Sequence, residues 1–387
     1  MPTRLLILAS VLGAFAAACS TIPNATVDVG SGPRFVVQVA DSVDNVGLGN
    51  AIALDKDGVP YLSYWGFPQK VTGIPVSRPI GAPFIPAVQV SSQAANGIWT
   101  RGAAAQVQDS PPGVVVPFGP ATVKSLKNAA ADNTNGTDIA VAADGTIHVV
   151  WTAQDGVYYA SRAPSPTSSF TATRLFTYGS SLTAAGPIGR PSVAVDAGGT
   201  PWVAYIVGAA KQEVRVATPD AKGNWQTRVV DTLARCGGCP QPGPARIGIT
   251  PTGPIVAFAD AKENAVLVAH LAGATPTIER VATGVAGTEL SLAMGKKGTD
   301  LAYYTGDGTV QLASSTGAGW TTAKVADAPP TKDRGPQALP ETTGVAVDDA
   351  GKVYVAWYDG KKDAVQLASG DGSTFAPVST FGTTDGR

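Results

Sequence analysis

The chain is poor in charge: of its 387 residues only 15% are Asp, Glu, Lys or Arg, where a soluble domain usually carries about 25%. The formal net charge is -1. No basic excess exists to neutralise a phosphate backbone, so nucleic acid is not expected as a partner. Histidine occurs twice and cysteine three times. A structural zinc site takes about four such ligands, so no metal site and no cofactor are expected. Glutamate is also scarce, with only Glu213, Glu263, Glu279, Glu289 and Glu341. This restricts the carboxylate pairs on which glycoside hydrolysis depends. Long apolar runs are also missing. The longest uncharged apolar stretch, Leu5 to Ala18, has 14 residues, fewer than the roughly 20 needed to cross a bilayer.

That stretch follows Arg4 and ends in Ala16-Ala17-Ala18-Cys19. A positive start, a short apolar core and small residues at its end make a secretory signal. Small residues before a cysteine resemble the lipobox of bacterial lipoproteins, which implies cleavage before Cys19 and lipidation of its thiol. The expectation is therefore a signal over 1–19, a Ser/Thr/Pro/Gly-rich tether over 20–32, and a mature body over 33–387. That body would be held at the extracytoplasmic face of a bacterial cell membrane by the lipid. The alternative is an ordinary secretory signal with an incidental cysteine.

What is abundant is punctuation. Gly (45) and Pro (30) are both above average usage, and they separate short segments of period-2 alternation, the mark of strands. One pattern recurs: an apolar-small-apolar strand, a turn usually carrying Asp, a Gly, then a strand with a large aromatic. The first strands are Ile52-Ala53-Leu54, Ile139-Ala140-Val141, Val193-Ala194-Val195, Ile247-Gly248-Ile249, Leu292-Ala293-Met294 and Val345-Ala346-Val347. The turns supply Gly58, Gly145, Gly199, Gly253, Gly298 and Gly351, and the second strands an aromatic column of Tyr64, Trp151, Tyr205, Phe258, Tyr303 and Trp357. A third strand repeats a small-small pair, read as Val76-Ser77 in the first unit and as Ala160-Ser161, Ala217-Thr218, Ala269-His270, Ala313-Ser314 and Ala368-Ser369 after it. A fourth strand opens on an aromatic, as at Phe170, Trp225, Trp320 and Phe375.

Small residues suit the centre of a ring, and large aromatics suit the space between packed sheets. The turn glycines are 87, 54, 54, 45 and 53 residues apart, close to the 40–50 of a four-stranded propeller blade. The prediction is all-β: a single β-propeller of about six four-stranded blades, with seven as the alternative if the 87-residue gap hides another. A long insertion over 82–136 accounts for that gap otherwise. Phe35-Val36-Val37-Gln38-Val39 could supply the fourth strand of the last blade and close the ring, in competition with Phe375 to Phe381.

Over residues 33–381 this repeat style resembles the secreted bacterial propellers with sialidase-like (BNR/Asp-box-type) repeats. Their Asp-box reads Ser-x-Asp-x-Gly-x-x-Trp between third and fourth strands. Here Asp196-Ala197-Gly198-Gly199-Thr200-Pro201-Trp202 differs in spacing and lies between the first and second. By analogy with such propellers, ligands bind on the face carrying the loops into each first strand. That face would present Trp65, and in the insertion Trp99, Arg101 and Phe118, residue types that anchor recognition surfaces. The best catalytic candidates are Arg190, Arg246 and Glu289, which precede first strands of neighbouring repeats.

Cys236 and Cys239, outside the cytoplasm, are expected to form a disulfide. His148 and His270 fall at packing positions of the repeat. The leading functional expectation is a non-enzymatic binding module at the cell envelope, with an envelope protein or a glycan as ligand. The alternative is a glycan-active hydrolase or lyase of sialidase-like type.

Overall fold

A computed structural model describes residues 25–27, 35–37, 45–67, 87–93, 99–106, 136–153, 156–165, 168–177, 187–208, 211–234, 243–284, 290–317, 319–328, 343–359, 361–362, 364–376 and 379–381. Two short strands, β1 (Ala25–Val27) and β2 (Phe35–Val37), pair with each other. Six four-stranded antiparallel sheets follow, each built from consecutive strands. Blade 1 holds β3 (Asn45–Leu54), β4 (Pro60–Phe67), β5 (Ala87–Gln93) and β6 (Trp99–Gln106). Blade 2 holds β7 (Thr137–Val141), β8 (Ile147–Ala153), β9 (Gly156–Arg162) and β10 (Thr171–Thr177), and blade 3 β11 (Pro187–Val195), β12 (Pro201–Val207), β13 (Lys211–Pro219) and β14 (Trp225–Ala234). Blade 4 comprises β15 (Arg246–Thr250), β16 (Gly253–Asp260), β17 (Ala265–His270) and β18 (Thr277–Thr283). Blade 5 comprises β19 (Ser291–Gly295), β20 (Gly298–Tyr304), β21 (Thr309–Ser315) and β22 (Trp320–Asp327). Blade 6 comprises β23 (Thr343–Val347), β24 (Val353–Asp359), β25 (Ala364–Gly370) and β26 (Ser379–Phe381). The protein is a six-bladed β-propeller, with no helix among the described residues.

The core lies between blades. Successive side chains of a strand point to opposite faces, and here both faces are covered. Trp151, Tyr205, Phe258, Tyr303 and Trp357 each turn back onto the preceding blade, joining apolar clusters shared by blades 1 and 2, 2 and 3, 3 and 4, 4 and 5, and 5 and 6. Tyr64 is buried as well. Fourth-strand aromatics add to the same clusters: the Trp225 ring lies 4.7 Å from that of Tyr159 in blade 2.

The Asp-containing turns work by self-satisfaction. Asp196 Oδ1 accepts from the Gly198 and Thr200 amides, both at 2.9 Å, while Gly199 takes φ +81°, a region that favours glycine. The other carboxylate oxygen accepts from the Trp202 indole at 3.3 Å. Asp348 repeats this with the Ala350 and Lys352 amides and the Tyr354 hydroxyl. Asp196→Ala is therefore expected to lower stability by about 1–2 kcal/mol, read as a fall in urea midpoint; an unchanged midpoint would contradict this role.

The structure corrects three expectations in blade 1. The third strand is β5, where Ser91 and Ser92 pair with Leu62 and Tyr61, in place of Val76-Ser77, which lie outside the described residues. The small pair is dictated by register: it faces the second-strand residues two and three before the aromatic column, as Ala160 and Ser161 do for Val149 and His148. The span 82–136 consequently contains β5 and β6 rather than being one insertion. Trp99 then opens β6, the fourth-strand aromatic that this blade otherwise lacked. At the other end, β26 pairs with β25, so Phe375 to Phe381 completes blade 6, and Phe35–Val37 pairs with β1 inside what reads as the tether side of the chain.

Candidate functional site

The first strands β3, β7, β11, β15, β19 and β23 surround the channel and start from one face, called here the upper face. The residue just before each apolar-small-apolar triplet is Ala51, Asp138, Ser192, Arg246, Ser291 or Gly344. Alternation points this position at the next blade, and where it is polar it reaches the backbone there. Asp138 Oδ2 accepts from the Val193 amide at 2.9 Å, Ser192 Oγ from the Ile247 amide at 3.3 Å, and Ser291 Oγ from the Val345 amide at 3.0 Å. Arg246 reverses the polarity, its Nε donating to the Leu290 carbonyl at 3.0 Å. A circle of side chain-to-backbone latches thus ties blades 2 to 3, 3 to 4, 4 to 5 and 5 to 6.

Arg190 sits two residues further toward the upper face. Its side chain lies so close over Gly136 of blade 2 that a Cβ there would fall 2.0 Å from its Cγ. Its guanidinium donates to the Asn50 carbonyl of blade 1 at 3.3 Å. One side chain therefore spans from blade 3 to blade 1 across the channel mouth.

Asp138 is the half-buried acid of the site. Burial pushes its carboxyl up from the ordinary range, against the Arg246 charge and the Val193, Ser192 and Ile139 donors, which pull it down. A carboxyl raised in the folded state disfavours its ionised form there. Its contribution to stability rises as pH falls through the folded value toward the unfolded one near 3.9. Asp138→Asn cannot ionise, so the variant is expected to gain on the wild type as pH is raised from about 4 to 8. Urea titrations at stepped pH check this; parallel curves would contradict it.

The sequence-predicted residues separate in the structure. Arg190 lies over Gly136, just ahead of β7, and donates to the Asn50 carbonyl, while Arg246 donates to the Leu290 carbonyl just ahead of β19. Glu289 lies outside the described residues, as do Cys19, Phe118, Cys236 and Cys239. Trp65 is not on a binding face. It is 7% exposed and packs against Val88, Val90 and Ile139 between blades 1 and 2, because every residue following the aromatic column faces the next blade. Trp99 is half-buried at the start of β6 and Arg101 pairs with Ser91 within it, so both belong to a blade rather than to a recognition loop.

The histidines occupy packing positions. His148 Nδ1 shares a 2.6 Å hydrogen bond with the Tyr159 hydroxyl, and burial pushes the imidazole down. His270 Nε2 lies 2.8 Å from Glu279 Oε1, which also accepts from the Trp320 indole of blade 5 at 2.8 Å. That blade-to-blade contact escaped the sequence reading, as did the ring of latches. No group of three or more metal-ligating side chains occurs among the described residues.

No protein-family model matches the chain, and no curated protein matches it. Solved structures that match include a six-bladed fungal lectin of Aleuria aurantia, 13% identical, covering 87% of this chain and 96% of that one at a TM-score of 0.48. An α-L-arabinofuranosidase of Fusarium graminearum is 10% identical, covering 84% and 92%, at 0.47. A mutant of the NanB sialidase of Streptococcus pneumoniae is 12% identical, covering 88% and 62%, at 0.39. Binding proteins and glycosidases thus both stand among the propellers that this chain is similar to.

Proposed function

We propose that the chain is a lipid-anchored, extracytoplasmic propeller that binds a ligand of the cell envelope, a protein or a glycan, and performs no chemistry at its channel mouth. The observation that carries this reading is the engagement of the two candidate arginines. Arg190 bridges blades 1 and 3 through the Asn50 carbonyl, and Arg246 bridges blades 4 and 5 through the Leu290 carbonyl. A group used to bind a transition state keeps its donors directed at the substrate. Here one donor of each arginine holds the ring. Asp138, the half-buried acid beside them, accepts one backbone amide on each carboxylate oxygen, and the Val193 bond ties it to the next blade. A rigid ring with variable loops on its upper face suits binding. The lipid anchor rests on Ala16-Ala17-Ala18-Cys19 and would place the ring outside the membrane.

The test is crosslinking of the native protein in its own membrane, read by mass spectrometry, beside retention on purified envelope glycans and a glycoside hydrolysis screen. Capture of a reproducible protein partner or retention on glycan, without turnover, is the expected result. Turnover that Arg190→Ala or Arg246→Ala abolishes at unchanged stability would establish the hydrolase instead. Release of the wild type and of Cys19→Ala into the same soluble fraction would remove the anchor.

A further inference from the structure

Five of the six blade-to-blade contacts join consecutive stretches of chain. The sixth, blade 6 to blade 1, joins its ends, and each of these blades is complete in itself: β3 to β6 come from 45–106 and β23 to β26 from 343–381. Among the described residues no strand crosses from one to the other. The residues that face this contact also depart from the repeat. Gly344 stands at the latch position and has no side chain with which to accept the Ile52 amide, whereas the counterparts Val193, Ile247 and Val345 are latched from the preceding blade and blade 5 is held through the Leu290 carbonyl. Ser91 replaces the alanine that the other blades place at its position (Ala160, Ala217, Ala269, Ala313 and Ala368), and it bonds within its own blade to the Tyr64 hydroxyl at 2.7 Å.

Exposure follows the same line. At the last position of the triplet Val141, Val195, Ile249 and Val347 are half-buried and Met294 is 37% exposed. Leu54, which points from β3 toward blade 6, is 48% exposed, the highest value among the large apolar residues described. Ala346, which points from β23 toward blade 1, is exposed, whereas its counterparts Ala140 and Ala194 pack into the clusters between blades.

We propose that the ring has a built-in seam between blades 6 and 1 and opens there, as a lowest-energy local motion, while the other five contacts stay closed. The device is a missing latch combined with a polar substitution at the joint between the chain's ends; Ala51 also lacks a latch toward blade 2, but there Ser63 Oγ and Thr137 Oγ1 share a 2.8 Å hydrogen bond and Trp65 packs on Ile139. It does not depend on what the propeller binds.

Hydrogen exchange of the full mature chain, followed by mass spectrometry, reads this directly. The amides of β3 and β23 are expected to exchange at least about tenfold faster than those of β7, β11, β15 and β19, since one net hydrogen bond corresponds to roughly that factor. Gly344→Ser should restore a latch. A Cβ there meets nothing closer than the Ala356 Cβ at 4.0 Å, and its hydroxyl reaches toward Ile52 as Ser291 reaches Val345. That variant should slow β3 exchange severalfold and leave β11 and β15 unchanged. Equal protection in all six first strands, fastest exchange at another joint, or a correctly folded Gly344→Ser protein with unaltered β3 exchange would overturn the proposal.

Discussion

Phe258→Ala is expected to lower the unfolding free energy by about 3–5 kcal/mol, among the largest effects available from a single side chain in this ring. Phe258 is fully buried and belongs to the blade 3–blade 4 cluster with Ile206, Val216, Leu233 and Leu267. Truncation removes the transfer energy of the ring and leaves a cavity between two sheets. Those sheets cannot collapse onto it, because each is also held by its other neighbour. The loss is read as a shift in urea midpoint at unchanged slope. A loss below about 1 kcal/mol would mean that the blades close over the gap, contrary to the packing described.

A second large effect is expected at Gly136. Its missing side chain gives Arg190 a path to blade 1: an added Cβ would lie 2.0, 2.5 and 2.7 Å from Arg190 Cγ, Cδ and Cβ. These are stem atoms, so rotating the guanidinium alone does not relieve the clash. Gly136→Val must displace the whole side chain and forfeit its bond to Asn50. The expected cost is about 2–4 kcal/mol, combining overpacking with loss of a charged hydrogen bond. In an Arg190→Ala background the same substitution should cost less than in the wild type, because the approaches to Cγ and Cδ and the bond to Asn50 are gone and only the 2.7 Å approach to Cβ is left. Additive losses in the double variant would place Arg190 elsewhere.

The fold was legible because the repeat is written in residues whose positions have one physical use. The turn glycines and the aromatic column are each needed once per blade, and counting them counts blades. Blade 1 was misread where a substitution hid the pattern. Neither Ser91-Ser92 nor Val76-Ser77 carries the alanine of the other blades, so composition does not place the third strand there, and Trp99 reads as part of an insertion instead of the opening of β6. Trp65 was misplaced for a different reason. Its neighbour Tyr64 already filled the aromatic column, and a second aromatic beside it read as exposed. In a propeller both faces of the second strand are covered, and Thr152, Ile206, Ala259 and Tyr304 are buried at the same position.

The site was legible in part. Arg190 and Arg246 stood out by their place before first strands, but their use depends on partners 140 and 44 residues away. Backbone carbonyls as acceptors leave no trace in a sequence. Asp138 gave no signal, since only the twist that brings Val193 and Arg246 around it makes it a half-buried acid. The latches became visible once the first strands were placed side by side: Asp138, Ser192, Arg246 and Ser291 share one register position, and Ala51 and Gly344 interrupt it.

The account rests on the arginines of the channel mouth holding the ring rather than serving a substrate. The measurement that tests this most directly is the unfolding free energy of Arg246→Ala at pH 7 and again near pH 4. A loss of about 2–3 kcal/mol at pH 7 is expected, from the Leu290 bond and from leaving the Asp138 charge half-buried without its counter-charge. The deficit should shrink toward pH 4 as Asp138 takes up a proton. Wild-type stability at both pH values would contradict the account and release Arg246 for a role in binding or turnover.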